Sequence, residues 1–193
     1  MYSSDSHLTI PDIARIAQSR GIDAVIITDH DSMEAIRDVK AQNTFYGVKV
    51  FVGCEVSSSA GHILAYGISE PPPPKMAPDY TLEFIHEHGG IAVAAHPYRK
   101  IGLGVGDLVF DLHFDAIEVM SSSVNKHASK SAIQSAKLLN LPMLAGSDAH
   151  RLRLVGSYYT EFDDPIENID DLIESIKANK VRPVRNNISM KKR

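Results

Sequence analysis

Short apolar segments rich in β-branched residues alternate along this chain with longer segments in which apolar residues recur at helical spacing. Several of the short segments are apolar throughout, which is typical of strands that are covered on both faces of a parallel sheet. On this basis, strands are predicted at residues 24–28, 49–55, 63–66, 91–95, 116–120 and 142–146.

Helical patterns lie between most of these strands, at residues 10–19, 80–88, 126–139 and 169–178. Thr9, followed by Pro11 and Asp12, is a helix-start signal for the first of them. The pair Gly89 and Gly90 is a stop signal for the second. This alternation of strands and helices predicts an α/β fold, either barrel-like or doubly wound.

Composition and charge narrow the class of protein. A chain of 193 residues, 44% of them hydrophobic, suits one globular domain with a sizeable core. The net charge of −4 gives no overall field that would favour nucleic acid or an anionic membrane, and a basic tail at about 186–193 is expected to be a solvated terminus.

Cys54 is the single cysteine, so no internal disulfide can form, and a buried, inert thiol is expected there. No leader or membrane-length apolar run is evident, so a cytoplasmic protein is expected.

Polar residues with metal-ligand chemistry follow four of the predicted strands. His30 follows the first strand, Glu55 ends the second, His96 follows the fourth, and Asp148 and His150 follow the last. Because the carboxyl ends of parallel strands meet on one face of an α/β fold, these side chains are predicted to converge. Carboxylates and neutral imidazoles are ligands for Zn²⁺, Mn²⁺ or Fe²⁺. The pattern therefore predicts a polynuclear metal site.

A single histidine after a strand is more often structural than a ligand, so the prediction depends on the recurrence over four strands. His62 opens the predicted strand that follows Glu55, and its position next to that residue makes it a further candidate ligand. His86 and His88 lie at a helix end, where they favour the helix dipole. The remaining histidines without ligand-like context are His7, His113 and His127.

Five short motifs, taken together and in order, resemble the PHP (polymerase and histidinol phosphatase) domain family. They are TDHD at 28–31, GCE at 53–55, GHIL at 61–64, AHP at 95–97 and GSDAH at 146–150. The resemblance extends from Tyr2 to about Pro183 and implies a single PHP-like domain over residues 1–193. It implies a distorted TIM-like barrel with fewer than eight strands, and a phosphoesterase that uses up to three metal ions.

The resemblance also implies which residues bind metal. The positions that match family ligands are Asp5, His30, Glu55, His62, His96, Asp148 and His150. One ion would use Glu55, His62 and His96, and a second would use Asp5, His30 and His150. Family members begin with a strand that carries a His-x-His pair for a third ion, and this chain does not contain that strand. Two ions are therefore expected, with the third open. An unpaired barrel edge is expected as well, as a liability for folding or a route to dimerisation. Either the start has been placed at an internal methionine, which is favoured, or the strand is truly lost.

The function implied is metal-assisted hydrolysis of a small phosphate monoester, such as a nucleotide, sugar or amino-alcohol phosphate. Asp148 or His150 would transfer the proton, and Arg99 would bind the phosphate, since a guanidinium matches phosphate oxygens bidentately. No duplex nucleic acid and no membrane are expected as partners. Two alternatives are a catalytically impaired PHP-like module that binds metal or a ligand and, less favoured, a metal-dependent amidohydrolase.

Overall fold

The computed structural model describes residues 6–99 and 103–186. Within these ranges the helices are α1 Ile10–Ser19, α2 Ile36–Ala41, α3 Pro78–Glu87, α4 Lys126–Leu139 and α5 Ile169–Lys177. The strands are β1 Ala24–Ile27, β2 Thr44–Phe45, β3 Val48–Val52, β4 Cys54–Ser58, β5 Gly61–Tyr66, β6 Ile91–Ala94, β7 Ala116–Met120, β8 Met143–Ala145, β9 Tyr158–Phe162 and β10 Val181–Arg185. None of the helices in the described ranges has the length and apolar character needed to cross a bilayer.

The strands form three sheets, with the orders β1-β3-β2, β4-β5-β6-β7-β8 and β10-β9. The mixed α/β fold predicted from the sequence is confirmed. The closed TIM-like barrel is not confirmed, because the sheets stay open over the described part of the chain. Among the described strands, β1 pairs only with β3 and lies at an edge of its sheet; the lack of a first barrel strand stays a prediction.

The parallel pairing indicated by the continuously apolar strands holds for only part of the five-stranded sheet. Strand β7 is parallel to both of its neighbours, β6 and β8. Strand β5 is antiparallel to both of its neighbours, β4 and β6. The cause is local, because two residues join β4 to β5, and a connection this short can join only antiparallel strands. As a result β5 starts at the end of the sheet where β6 finishes.

The predicted strand at 49–55 is two strands in two different sheets, divided at Gly53. A Cβ atom at Gly53 would lie 2.7 Å from the carbonyl oxygen of Ala65 and 2.9 Å from the ring of Tyr66, so only glycine fits. The Gly53 N–H donates to the carbonyl of Ile27. Glu55 is therefore the second residue of β4 rather than the last residue of a strand, as the sequence suggested.

Two apolar layers cover the five-stranded sheet. On the outer face, Ile117 and Val119 belong to one buried cluster with residues of α3 and α4. On the inner face, Val93 and Ala116 belong to a second cluster, which Leu172, Ile173 and Ile176 of α5 complete. Because side chains alternate along a strand, residue 118 shares the inner face with Ala116.

The edge of β1 that pairs with no other described strand faces a cleft of about 1320 Å³, which extends to the end of the sheets. Its walls include residues 22–30 beside β1, residues 144–149 beside β8, and residues 158–167 of β9 and the loop after it. On the far wall, the outer edge of β8 is covered by Thr160 of β9, whose hydroxyl bonds both to the N–H and to the carbonyl of Ala145, at 2.9 Å each.

Four elements were not predicted from the sequence: α2, β2, β9 and β10. Strand β10 contains Pro183, which has no N–H to donate and normally argues against a strand. It is tolerated here because β10 pairs only with β9 among the described strands, opposite Thr160.

Candidate metal centre

The carboxylate of Glu55 lies among three imidazoles. His62 Nδ1 is 2.8 Å and His96 Nε2 is 3.0 Å from Glu55 Oε1, and His30 Nε2 is 4.0 Å from Oε2. Burial would raise the pKa of Glu55, but the hydrogen bonds from His62 and His96 and the charges of His30 and His96 outweigh it. The pKa of this buried carboxyl therefore lies well below its ordinary value, and Glu55 is ionised at neutral pH.

Backbone pairing past the end of β1 positions His30. The N–H of Asp31 donates to the carbonyl of Glu55 (3.0 Å), and the N–H of Glu55 donates to the carbonyl of Asp29 (3.2 Å). The side chain of Asp31 then accepts the N–H of Ser57 at 2.7 Å. The segment after β1 is thus held against β4, and His30 is brought beside Glu55.

His62 and His96 reach the site from adjacent strands. His62 is the second residue of β5 and His96 comes two residues after β6, so the antiparallel pairing of these strands places both at the same end of the sheet. The His96 side chain is buried, and its φ is +31°, in the left-handed region. Asp31 and Asp148 also have positive φ, of 51° and 44°. Such backbone costs about 1–3 kcal/mol per residue and clusters at functional sites.

The residues present fit a divalent metal ion. The ligand atoms of His30, Glu55 and His62 all lie within 4.8 Å of one another. Nε2 of His96 is a further candidate ligand atom, since it lies 3.0 Å from Oε1 of the same carboxylate. Zinc binds nitrogen and oxygen ligands at about 2.0–2.2 Å, so two ligands of one tetrahedral ion lie roughly 3.3 Å apart. The separations of 2.8 and 3.0 Å around Glu55 Oε1 need little adjustment to reach that value.

A second group of predicted residues forms around Asp148, on the loop after β8. Arg99 Nη1 lies 3.4 Å from Asp148 Oδ2, and His150 Nδ1 lies 3.6 Å from Asp148 Oδ1. The Ser122 hydroxyl donates to the carbonyl of Ser147 at 2.5 Å, which holds this loop against the end of β7. Asp148 and His150 line the same cleft as His30, Glu55 and His96. The remaining predicted ligand, Asp5, lies outside the described residues.

Sequence reasoning missed Glu118, which lies in the middle of β7. Glu118 is 6% exposed, and its Oε2 accepts the N–H of His96 at 3.1 Å. Burial, together with the charges of Asp148 and Glu55, raises the pKa of Glu118 well above its ordinary value. The feature of the sequence that could have identified Glu118 is that it is a single acidic residue within an otherwise apolar strand, Ala116–Met120.

An α/β fold with a buried cluster of histidines around one carboxylate, at the end of a sheet, is typical of metal-dependent hydrolases. The model of the PHP domain family matches residues 1–103, and a model described as PHP-associated matches residues 126–181. The chain belongs to the PHP family.

Among curated proteins, uncharacterized protein MJ1587 of Methanocaldococcus jannaschii is 36% identical over 110 residues, which are 57% of this chain and 64% of that protein. The match therefore spans less than two thirds of this relative. PsfC from Pseudomonas syringae PB-5123 has a similar fold, with a TM-score of 0.74 and 19% identity over 91% of this chain and 82% of that one. An amidohydrolase from Chromobacterium violaceum, solved with bound sulfate, has a TM-score of 0.67 and 20% identity over 96% and 95% of the two chains.

A further similar structure corrects the prediction about partners. The lesion-specific endonuclease Q of Pyrococcus furiosus has a TM-score of 0.67 and 20% identity, over 92% of this chain and 54% of that one. Another structure of endonuclease Q contains a 27-mer duplex substrate with an abasic lesion at the active site. The expectation that excluded duplex nucleic acid is therefore wrong. It was based on overall charge, which does not describe the local surface around a site.

Proposed function

We propose that this chain hydrolyses a phosphate monoester with the help of bound divalent ions. The observation that carries the proposal is the position of Glu55, whose carboxylate contacts His62 and His96 and faces His30 at the head of the cleft. Zn²⁺, Mn²⁺ and Fe²⁺ all suit this donor set. When bound, such an ion lowers the pKa of water toward neutrality and polarises the phosphoryl oxygens.

Asp148 and His150 are the proposed proton-transfer residues. Their side chains lie 3.6 Å apart, and both line the cleft that reaches the Glu55 cluster. His150 is the more exposed of the two, with 41% of its side chain accessible against 11% for Asp148. His150 is therefore the better placed to exchange a proton with solvent, and Asp148 to hold the imidazole in orientation.

Arg99 is the proposed phosphate-binding residue. It lies three residues beyond His96 in the same loop, and the N–H of Arg99 donates to the His96 carbonyl at 2.8 Å. Its guanidinium contacts Asp148 from the rim of the site, where 30% of its side chain is exposed. A terminal phosphate that reaches the cluster would lie between the metal ligands and this cation, and a guanidinium can bind two of its oxygens at once. This recognition involves the phosphate and leaves the alcohol, whether nucleoside, sugar or amino alcohol, unspecified.

The proposal is tested by loading the purified chain with Zn²⁺ or Mn²⁺ and measuring initial rates on three substrates. These are p-nitrophenyl phosphate, bis(p-nitrophenyl) phosphate and a DNA duplex with one abasic site. We expect the monoester to be hydrolysed fastest. Glu55→Gln should lower that rate by about 100-fold or more, because loss of a group that merely orients a metal ligand already costs about 10–100-fold. Glu70→Gln is the matched control, since Glu70 is a surface residue that faces His88.

The other possible outcomes of this substrate test distinguish between the alternatives. Faster cleavage of the diester or the duplex would overturn the monoester as substrate class while keeping a metal-dependent hydrolase. Bound metal without turnover of any substrate would favour the catalytically impaired, metal-binding module. Less than one equivalent of metal per chain together with no turnover would contradict the proposal as a whole.

A further inference from the structure

We propose that Glu118 is a positioning residue that links the loop of His96 to the loop of Asp148 and thereby determines how tightly the centre binds metal. This inference rests on the proposed function in taking the Glu55 cluster as the metal site. It concerns a buried carboxyl group whose hydrogen bond to His96 is with the backbone N–H. Its action is therefore on the backbone that carries the ligands.

The position of Glu118 between two ligand-bearing strands supports this role. Strand β7 lies between β6, which leads to His96, and β8, which leads to Asp148, and all three strands are parallel. Glu118 is paired with Leu144 of β8, and its buried side chain shares the inner face of the sheet with Ala116. A side chain at this point can reach the backbone on both sides.

The first contact is with the loop of His96. Oε2 of Glu118 accepts the N–H of His96 at 3.1 Å, in a buried environment. This N–H lies past the last residue of β6, so it has left the regular hydrogen-bonding ladder of the sheet. Because His96 has left-handed backbone, a fixed acceptor for its N–H helps to hold a conformation that the chain would otherwise leave.

The second contact is with the loop of Asp148. A Cβ atom on Gly146 would lie 2.9 Å from Oε1 of Glu118, so the carboxyl group packs directly against the Gly146 backbone. Gly146 lies two residues before Asp148, and its N–H donates to the carbonyl of Met120 at 3.2 Å. The pairing of β7 with β8 shifts register between Glu118 and Met120, and such bulges typically re-aim the side chains beside a site.

The two contacts come from the two oxygens of one carboxyl group. The separation of the His96 loop and the Asp148 loop therefore depends on the size and the acceptor oxygen of residue 118. If residue 118 only filled space in the core, it would not need an acceptor oxygen. In metal sites, partners that orient the ligands typically change affinity by about 10–100-fold when they are removed.

The test compares Glu118→Gln with Glu118→Leu. Glutamine keeps the size and an oxygen that accepts the His96 N–H, whereas leucine has neither acceptor nor charge. Zn²⁺ affinity is measured by competition with a chelator, and exchange of the His96 amide proton is measured by NMR in the metal-free chain. Val119→Ala is the control, since Val119 is fully buried on the outer face of the same strand.

We expect Glu118→Gln to bind Zn²⁺ within about threefold of the wild type and to keep the His96 amide protected. Glu118→Leu should bind about 10–100-fold more weakly, with faster exchange at His96. Val119→Ala should lower Tm and leave the Zn²⁺ affinity unchanged. Equal affinity of Glu118→Leu and the wild type would overturn the inference. So would a loss in Glu118→Gln as large as that in Glu118→Leu, because it would mean that charge or direct ligation matters instead.

Gly146→Ala gives an independent test should Glu118→Leu fail to fold. It keeps Glu118 and adds one methyl group at 2.9 Å from its carboxyl oxygen, so it should also weaken Zn²⁺ binding. Unchanged affinity in Gly146→Ala would contradict the role assigned to this contact. A wild-type chain that binds no Zn²⁺ would refute both the proposed function and this inference. A wild type that binds Zn²⁺, with variants that bind equally well, would refute the inference alone.

Discussion

Nε2 of His96 lies 3.0 Å from Oε1 of Glu55, although 41 residues separate them along the chain. The contact joins the loop after β6 to the second residue of β4. His62 of β5 contacts the same carboxylate oxygen, with its Nδ1 at 2.8 Å. Three neighbouring strands thus supply one buried cluster, which no local segment of the sequence could build alone.

Replacement of His62 by alanine should remove most of the stabilisation that metal gives to the fold. At a Zn²⁺ concentration 100 times Kd, binding adds about 2.7 kcal/mol to the free energy of unfolding. If the variant binds about 100-fold more weakly, nearly all of this gain is lost at the same concentration. Urea denaturation with and without Zn²⁺ measures it. His86→Ala is the control, because His86 pairs with Asp115 at 2.9 Å, outside the cluster, and should keep the wild-type gain.

Replacement of Arg99 by alanine should raise KM for a phosphate monoester by roughly 10–100-fold, because a hydrogen bond to a charged group contributes about 1.5–3 kcal/mol. The effect should fall mainly on KM, since Arg99 is proposed to bind the phosphate rather than to transfer a proton. Steady-state kinetics measure it. Arg182→Ala, which removes an exposed arginine paired with Glu161 on the two-stranded sheet of β9 and β10, serves as control. Unchanged KM in Arg99→Ala would remove Arg99 from the site.

Replacement of Thr160 by valine should lower the free energy of unfolding by about 1–3 kcal/mol. Valine has nearly the same shape but leaves the N–H and the carbonyl of Ala145 without the hydroxyl that now bonds to both. Thr160→Ser keeps that hydroxyl and should lose clearly less. Chemical denaturation of the three proteins gives the comparison, and equal stability of the valine and serine variants would show that these two hydrogen bonds contribute little.

The thiol of Cys54 should make stability fall at alkaline pH. Burial, aided by the charge of Asp31, raises the pKa of Cys54 to about 12, whereas an unfolded chain releases the proton near 8.5. The contribution of the neutral thiol to the free energy of unfolding is therefore fully present below about pH 8.5 and is lost as the pH rises toward 12. The expected slope is about 1.4 kcal/mol per pH unit.

Urea denaturation between pH 8 and 10 measures this slope. Cys54→Ala should be less stable overall but should show a flatter pH dependence than the wild type. The native wild-type chain should also resist iodoacetamide at pH 9 and react once it is unfolded. Equal slopes in the two proteins, or rapid alkylation of the native chain, would contradict the assignment.

The sequence predicted α1 and α4 with their observed bounds, because local side-chain contacts determine where these helices begin. Thr9 accepts the N–H of Asp12, and Asn125 accepts the N–H groups of His127 and Ala128. Such contacts lie within four residues of sequence and can be read from it. The convergence of His30, Glu55, His62 and His96 was predictable for a different reason, as these residues recur beside apolar strands.

Features that depend on contacts distant in sequence were not predictable. The division of residues 49–55 at Gly53 follows from the close approach of Ala65 and Tyr66, which the local apolar pattern does not contain. The role of Glu118 depends on His96 and Gly146, which flank it only after three strands have paired. The closed barrel implied by the family resemblance did not appear, since β1 and β8 are not joined by a further strand among the described residues.

Helix α5 closes the inner face of the five-stranded sheet, and this affects the order in which the protein can fold as it is synthesised. Leu172 and Ile176 complete a cluster that includes Leu64 and Val93, from the first half of the chain. Ribosomes add about 5–20 residues per second, so the inner face of the sheet stays uncovered for several seconds until α5 emerges. During that interval exposed apolar strands can associate with other nascent chains. A chaperone that shields them should therefore raise the yield of folded protein more than one that acts after release.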